Sequence, residues 1–411
     1  MKINKYRVLL SFLVALLIFL VFSTINVMSM PGNMNITDSN RELMSNENLK
    51  SNLLYKIDSD EKNYDEKSSY KLNKLHINVK LFGIIPIKKM TINFLPEIKV
   101  IPGGYPIGVK LHTDGILVVG FSDVETPSGR EQSPAVKAGI EIGDCIIEVD
   151  GKRIESSKQL SDVISSNRNK VIDVKINRKG EVKKLQITPV ATGNKNEYKI
   201  GLWVRDSTAG VGTLTFYDPV SGKFGALGHP INDVDTGKLL PIRDGKIYNA
   251  KIISVEQGAR GKPGELRGIF SEDDEIGTLN KNTPAGIYGE SDKILTRNSY
   301  NKPIPIARQS EIKEGPAKIL TSIQGDEVKE YDIYIEKLTP QSRLNPKSMI
   351  IRVTDQRLIE KTGGIVQGMS GSPIIQDGKL VGAVTHVFVN KPDMGYGIYI
   401  EWMLKEAGFD I

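Results

Sequence analysis

The chain has 411 residues, of which 39% are hydrophobic and 25% charged, a balance typical of a globular protein with a sizeable core. This length predicts two or three domains. The net charge of +6 is spread along the chain without a basic block, which argues against a nucleic-acid-binding surface. The single cysteine excludes an intrachain disulfide, and no group of potential ligands has zinc spacing, so we expect no metal and no cofactor.

The chain begins with a basic stretch followed by a long apolar run. Three basic residues within the first seven positions precede apolar residues from Val8 to Phe22, with a weaker continuation to Met30. The run is long enough to cross a bilayer, and no good signal-peptidase site follows it. The basic residues stay inside, so the rest of the chain lies outside the cytoplasm. We expect a transmembrane signal anchor over residues 1–30, with a cleaved signal peptide as the alternative.

Two segments separate this run from the first domain. Residues 31–73 are rich in Asn, Ser, Lys, Glu and Asp and contain few clustered apolar residues, which is typical of a poorly ordered linker. Residues 74–101 alternate apolar and polar side chains on either side of Gly83, which predicts a short β segment with a turn.

The next region contains two distinctive runs, SPAVKAGI from Ser133 and IGDCIIEVDG from Ile142. Pro134 stands at a favoured first helical position, and Ser156 or Ser157 can cap a second helix. Residues 102–192 on this basis resemble a PDZ domain, an α+β fold, of the type associated with bacterial proteases.

The PDZ resemblance implies a groove in which a partner's terminal peptide adds a strand to the sheet. It places the loop that receives the peptide carboxylate at Ile107, Gly108 and Val109. The alternative is a blocked groove in a domain that only positions its neighbour.

Residues 196–411 consist of short β-patterned segments with Gly and Pro turns, which predicts a barrel or a pair of barrels. Ser370 lies in the run GMSGSP and precedes an apolar strand, as in trypsin-like peptidases. A nucleophilic serine needs a base, and the developing oxyanion needs backbone N–H donors. Gly368 and Gly371 permit tight turns, so we predict Ser370 as nucleophile and the N–H groups of Gly368 and Ser370 as oxyanion donors.

Four histidines compete for the role of base. His76 and His112 lie in alternating strand-like segments, and His386 ends the strand after Ser370, where we expect it to be structural or to line the cleft. His229 ends a strand and precedes Pro230, which restricts the backbone. Because a general base must hold its geometry, we predict His229 for that role.

The motif GHPI around His229 and the run TGGIVQGMSGSP from Thr362, together with the anchor and the PDZ region, resemble the SpoIVB peptidases, the stage IV sporulation protein B family of endospore-forming bacteria. The resemblance implies a mainly β chain: a transmembrane helix, a PDZ domain and a trypsin-like double β-barrel peptidase domain. It implies a sporulation serine endopeptidase that acts between the two forespore membranes, cleaving itself within the linker and, as partner substrate, the inhibitory subunit of a membrane metalloprotease, which then matures pro-sigma-K.

The same resemblance points to Asp355 as the third catalytic residue, orienting His229. Five aspartates further from Ser370 compete with it: Asp233, Asp235, Asp244, Asp273 and Asp274. The alternative is that Asp355 orders the turn before Gly363 while a dyad performs the chemistry. For the whole protein, the alternative to a peptidase is a membrane-tethered PDZ adaptor with a degenerate peptidase fold.

Overall fold

The computed structural model of the protein describes residues 5–29, 32–37, 55–59, 74–95, 97–194, 197–296 and 300–411. Most of its elements are β-strands, as predicted. The chain divides into two compact units, Met1–Ile98 and Lys99–Ile411.

The first unit contains one helix and one sheet. The helix α1 spans Lys5–Ser29, and the four strands pair in the order β1-β4-β3-β2. Their bounds are β1 Asn33–Thr37, β2 Tyr55–Ser59, β3 Lys74–Leu81 and β4 Ile85–Leu95. The predicted strands on either side of Gly83 are therefore confirmed.

Two predictions for this unit go beyond what the structure describes. Within the described residues, we find no helix that is both long and apolar enough to cross a membrane. The linker of residues 31–73, within which self-cleavage is predicted, contains β1 and β2, and apart from Gly32 the rest of it lies outside the described residues.

The PDZ region contains two helices whose caps follow from the sequence. The Ser133 side chain accepts a hydrogen bond from the Val136 N–H, and Ser156 accepts one from Gln159. Such caps satisfy N–H groups that have no partner within the helix. In chain order, the elements are β5 Lys99–Pro102, β6 Pro106–Phe121, β7 Val124–Thr126, β8 Gly129–Glu131, α2 Pro134–Lys137, β9 Cys145–Val149, β10 Lys152–Arg153, α3 Ser157–Asn167, β11 Ile172–Arg178, β12 Glu181–Ile187, β13 Val190–Ala191 and β14 Tyr198–Lys199.

The next strands complete a six-stranded antiparallel barrel. Its order is β6-β17-β18-β19-β16-β15, and pairing between β6 and β15 closes the ring. The bounds are β15 Leu202–Tyr217, β16 Lys223–Ala226, β17 Ile242–Glu256, β18 Glu265–Thr283 and β19 Gly286–Glu290, followed by the short β20 Ile304–Pro305.

A second six-stranded barrel closes in the order β21-β22-β23-β26-β25-β24. In β22, buried Tyr331, Ile333 and Ile335 alternate with exposed Asp332 and Tyr334, as the period of a strand requires. The bounds are β21 Gly315–Thr321, β22 Lys329–Leu338, β23 Met349–Val353, α4 Gln356–Thr362, β24 Pro373–Gln376, β25 Lys379–Phe388, β26 Lys391–Tyr399 and α5 Ile400–Glu406.

The PDZ region is an insertion between two strands of the first barrel. The first half of β6 pairs with β15 and β17 in the barrel, while Ile116 and Leu117 in its second half pair with β9. Residues 106–113, which the sequence assigns to the PDZ domain, thus belong to the barrel in the structure. The strands β6 and β15 run without a break from the PDZ core into the barrel.

Candidate active site

A cavity of about 470 Å³ is lined by residues from both barrels. Ser370, His229 and His386 all line it. The structure therefore brings together the nucleophile and the base that the sequence predicts, together with the histidine predicted to line the cleft.

The loop around Ser370 requires its glycines. Gly368 and Gly371 have φ values of 93° and 96°, in the left-handed region that favours glycine. A Cβ on Gly371 would lie 2.2 Å from the Thr213 carbonyl oxygen, and the space is closed by backbone, which cannot yield. Met369, between them, is fully buried in the core, at the position where trypsin-like peptidases usually carry an Asp.

Two threonines of β15 hold this loop. Thr213 Oγ1 donates to the Gly368 carbonyl at 2.7 Å, and the Thr213 N–H donates to the Ser370 carbonyl at 3.2 Å. Thr215 Oγ1 donates to the Gly371 carbonyl at 2.8 Å. The sequence analysis did not identify either residue. A signal was present, because two threonines placed two positions apart in an apolar strand indicate buried polar side chains on one face.

The two N–H groups predicted as oxyanion donors are free to bind a substrate oxygen. Among the described residues, the N–H groups of Gly368 and Ser370 have no acceptor, whereas those of Met369 and Gly371 donate to Val366 and Val384. Two unpaired N–H groups flanking a nucleophile can both donate to one oxygen atom of a bound substrate. The Ser370 hydroxyl itself donates to the Thr385 carbonyl at 2.9 Å.

His229 follows a tightly turned segment at the end of β16. Leu227 has a φ of 69°, unusual for a bulky residue, and Gly228 has one of 71°. The His229 Nδ1 lies 2.8 Å from the Pro230 carbonyl oxygen. A carbonyl can only accept, so Nδ1 carries the proton and Nε2 keeps its lone pair. The backbone thereby selects the tautomer that a general base needs.

Burial sets the protonation state of both histidines in the cavity. Burial lowers the pKa of His229, and the hydrogen bond to Pro230 opposes part of that shift. Burial, together with repulsion from His229 and Lys347, lowers the pKa of His386 to about 4. Their ring centroids are 5.3 Å apart, so protonating one ring disfavours protonating the other. Both rings are therefore neutral near pH 7.

Asp355 does not reach His229. Its side chain accepts from the Arg357 N–H at the start of α4 and pairs with the Arg357 guanidinium at 2.6 Å. Hydrogen bonds from Arg357 keep the pKa of Asp355 below its usual value. The structure thus places Asp355 as a helix cap and not as the orienting carboxylate, because its oxygens are already bound at the start of α4.

The competing aspartates also have other partners. The partner of the His229 ring within the described residues is the Pro230 carbonyl. The five contacts are Asp233 and Asp235 with Arg205 at 2.6 and 2.7 Å, Asp244 with His112 at 2.7 Å, Asp273 with Ser271 at 3.4 Å and Asp274 with Asn249 at 2.7 Å. A backbone carbonyl, and not a carboxylate, therefore occupies the orienting position at the His229 ring.

The predicted carboxylate-binding loop of the PDZ domain is a barrel strand in the structure. Ile107, Gly108 and Val109 lie in β6 and pair with β15 on one side and β17 on the other. Their backbone groups are therefore unavailable to a peptide. Gly108 is required for packing, since a Cβ there would lie 2.1 Å from the ring of Phe270.

The PDZ groove lies elsewhere, between α3 and the start of β15. Leu160, Ile164, Leu202 and Val204 line a cavity of about 190 Å³ there. Gly201, with a φ of 73°, makes the turn that begins this strand. The sequence did carry a signal, because YKIGL from Tyr198 repeats the pattern YPIGV from Tyr105 that we assigned to the loop.

A trypsin-like fold that brings a serine and a neutral histidine to one cavity, with a PDZ domain inserted in the first barrel, places the protein among the PDZ-containing serine peptidases. A profile of the PDZ domain matches residues 126–178. The profile of the SpoIVB peptidase S55 family matches residues 196–404, just over half of the chain. The chain belongs to the SpoIVB peptidase S55 family, which confirms the resemblance drawn from the motifs.

Similarity to other proteins is local. A putative zinc metalloprotease of Bartonella henselae is 35% identical over 82 residues, covering 20% of this chain and 22% of the relative. The PDZ domain of an SdrC-like protein from Listeria monocytogenes is 24% identical and covers 22% of this chain and 87% of its own, with a TM-score of 0.18. The Rv3671c protease from M. tuberculosis is 15% identical and covers 50% of this chain and 76% of its own, with a TM-score of 0.30. The chain spans about a fifth of the length of the first curated relative.

Proposed function

We propose that the protein is a serine endopeptidase in which His229 and Ser370 form a catalytic dyad. The observation that carries this proposal is the cavity that both residues line, next to the two unpaired N–H groups of Gly368 and Ser370. Family membership supports the same reaction.

In this mechanism, the Ser370 hydroxyl leaves the Thr385 carbonyl and turns to His229 Nε2 when a substrate binds. The Ser370 Oγ attacks the scissile carbonyl while Nε2 takes its proton. The N–H groups of Gly368 and Ser370 stabilise the oxyanion. The imidazolium then protonates the leaving amine, and the Pro230 carbonyl holds the ring throughout. Water hydrolyses the resulting acyl-enzyme by the same steps.

Fluorophosphonate labelling tests the dyad directly, because the reagent reacts with activated serines. The wild-type chain should be labelled at Ser370, Ser370→Ala should not be labelled, and His229→Ala should be labelled many-fold more slowly. Labelling that survives in the Ser370→Ala chain would overturn the assignment.

We further propose that residues 1–30 hold the chain at a membrane with the peptidase on the extracytoplasmic side, in the forespore intermembrane space. The basic residues before the apolar run from Val8 support this topology. An inactive Ser370→Ala chain should stay intact in the membrane fraction. Recovery of only a soluble chain that begins between Ser23 and Met30 would favour a cleaved signal peptide.

For the substrates, we propose the chain itself, cleaved in trans within residues 31–73, and the inhibitory subunit of a membrane metalloprotease that matures pro-sigma-K. The family assignment supports this choice. Co-expression with candidate inhibitory subunits should give cleavage by the wild-type chain and none by Ser370→Ala. Intact subunits in both cases would remove this substrate while leaving the dyad in place.

A second candidate function is a PDZ adaptor with an inactive peptidase fold. It is favoured by one observation, the hydrogen bond from Ser370 Oγ to the Thr385 carbonyl in place of one to His229. A failure of fluorophosphonate to label the folded wild-type chain would favour the adaptor.

A further inference from the structure

The turn between β3 and β4 presents apolar side chains to solvent. Phe82, Ile84 and Ile85 are 53%, 81% and 56% exposed. They are not an extension of the core, since Ile77 and Ile92 of the same two strands are 5% and 2% exposed on the packed face. We refer to residues 82–85 as the hairpin tip.

The hairpin tip has a sequence that its backbone does not favour. The Ile84 N–H donates to the Leu81 carbonyl at 3.1 Å, and the central residues Phe82 and Gly83 have φ values of 52° and 75°. These values define a type I′ turn, whose first central position normally takes Asn, Asp or Gly. A phenylalanine in this left-handed conformation is a strained choice, and such strain persists most often at functional positions.

The hairpin itself carries charge of a single sign. Residues 74–95, the two strands and their turn, contain four lysines and no aspartate or glutamate. Three of these lysines, Lys80, Lys88 and Lys89, flank the hairpin tip directly. An apolar tip within a basic collar matches the interface of a bilayer that carries anionic headgroups.

The strand that follows the hairpin tip contacts the end of the apolar helix α1. Lys88 Nζ donates to the Met28 carbonyl, in the last turn of that helix, at 2.6 Å. Ten large apolar side chains of α1 between Leu10 and Met28 are 49 to 65% exposed. The helix and the hairpin thus both expose apolar side chains and are joined by this contact.

We propose that the hairpin tip inserts into the surface of an anionic phospholipid bilayer, with Phe82, Ile84 and Ile85 among the acyl chains and the flanking lysines at the headgroups. This contact involves residues of the first unit only. It fixes the first unit against the bilayer, in addition to any anchoring by the helix itself.

The test uses the full chain with Ser370→Ala, which prevents self-cleavage, and a fluorophore whose emission reports an apolar environment. The fluorophore is attached at Ile84→Cys, because the native Cys145 is buried and does not compete for the reagent. The matched control is Val220→Cys, on the turn before β16, where the side chain is 93% exposed. Both chains are reconstituted in phosphatidylcholine vesicles, with or without phosphatidylglycerol and with quencher-labelled lipids.

We expect a blue shift and strong quenching at position 84 in vesicles with phosphatidylglycerol, quenching several-fold weaker without it, and none at position 220. A label at position 84 that behaves like the one at position 220, in chains that float with the vesicles, would overturn the proposal. Equal quenching with and without phosphatidylglycerol would overturn the role of the lysines.

Phe82→Asn separates lipid contact from folding. Asn-Gly is the preferred pair for this turn, so the chain should melt at the same or a higher temperature. Quenching at position 84 should nevertheless fall several-fold. A Phe82→Asn chain with undiminished quenching would contradict insertion of the tip, and Lys89→Glu should reduce quenching only in the anionic vesicles.

Discussion

At the scale of residues, two serines separated by one position differ completely in their surroundings. Ser370 lines the cavity, while the Ser372 side chain is fully buried and its hydroxyl has no partner among the described residues. We predict that Ser370→Ala abolishes peptide hydrolysis, whereas Ser372→Ala keeps it. Removing a buried, unsatisfied hydroxyl should leave the melting temperature unchanged or slightly higher. Loss of hydrolysis in a folded Ser372→Ala chain would contradict the assignment.

The buried environment of His229 predicts a pH profile. The base is active when neutral, so kcat/KM falls as the pH drops through its pKa. Burial lowers that pKa, so the acid limb should lie below the value of about 6.5 for a free imidazole. A rate profile against pH measures the midpoint.

The neighbouring histidine is the control for this limb. His386 has a pKa of about 4 and is therefore still neutral while His229 titrates, so its replacement by asparagine should keep the limb of His229 with little change in its midpoint. A limb that disappears with His386→Asn would assign the base to His386.

At the scale of elements, Asp355 caps a helix. We predict that Asp355→Asn retains kcat within a few-fold, since no contact joins this carboxylate to His229. Asparagine caps a helix about as well as aspartate, so only the pair with the largely exposed Arg357 is lost, and the unfolding free energy should fall by less than about 1 kcal/mol. Measurements of kcat and of denaturation on the same variant distinguish a helix cap from a catalytic residue. A fall in kcat of several powers of ten at unchanged stability would show that Asp355 belongs to a catalytic triad.

The PDZ groove and β6 should respond differently to substitution. Ser161→Arg adds bulk at the exposed edge of the groove. We predict that it weakens processing of a full-length protein substrate several-fold and spares a short peptide that fills only the active-site cavity.

Gly108→Ala serves as the contrasting variant. Its Cβ would collide with Phe270, so the barrel should be destabilised and both substrates should be processed less well. Equal losses on both substrates with a stable Ser161→Arg chain would mean that the groove does not recruit substrate.

The features of the fold that depend on neighbouring residues were predictable from the sequence. The helix start at Pro134, the cap at Ser156, alternation in the strands and the glycines around Ser370 all follow from neighbouring residues. The position of the PDZ groove does not, because two similar pentapeptides, from Tyr105 and from Tyr198, take their places in the fold from their long-range strand partners. The partner of the Asp355 carboxylate was not predictable for the same reason, since spacing along the chain does not reveal which side chain a carboxylate contacts.

At the scale of the whole molecule, the continuous strands β6 and β15 join the PDZ region to the first barrel. We predict that Lys99–Ile411 unfolds in one cooperative transition. The two tryptophans report on distant parts of this unit, Trp203 at the PDZ end of β15 and Trp402 in α5 of the second barrel. Fluorescence unfolding of Trp203→Phe and Trp402→Phe chains should give the same midpoint. Two separate midpoints would mean that the PDZ region melts independently.

The threonine contacts to the Ser370 loop also determine when a newly synthesised chain gains proteolytic activity. The loop is synthesised after the groups that shape it, Thr213 and Thr215, which lie in a strand of the first barrel. An unfinished chain therefore lacks the nucleophile, and a finished chain lacks a shaped oxyanion site until both barrels have closed and met. Proteolysis is thus delayed until folding has brought the two barrels together.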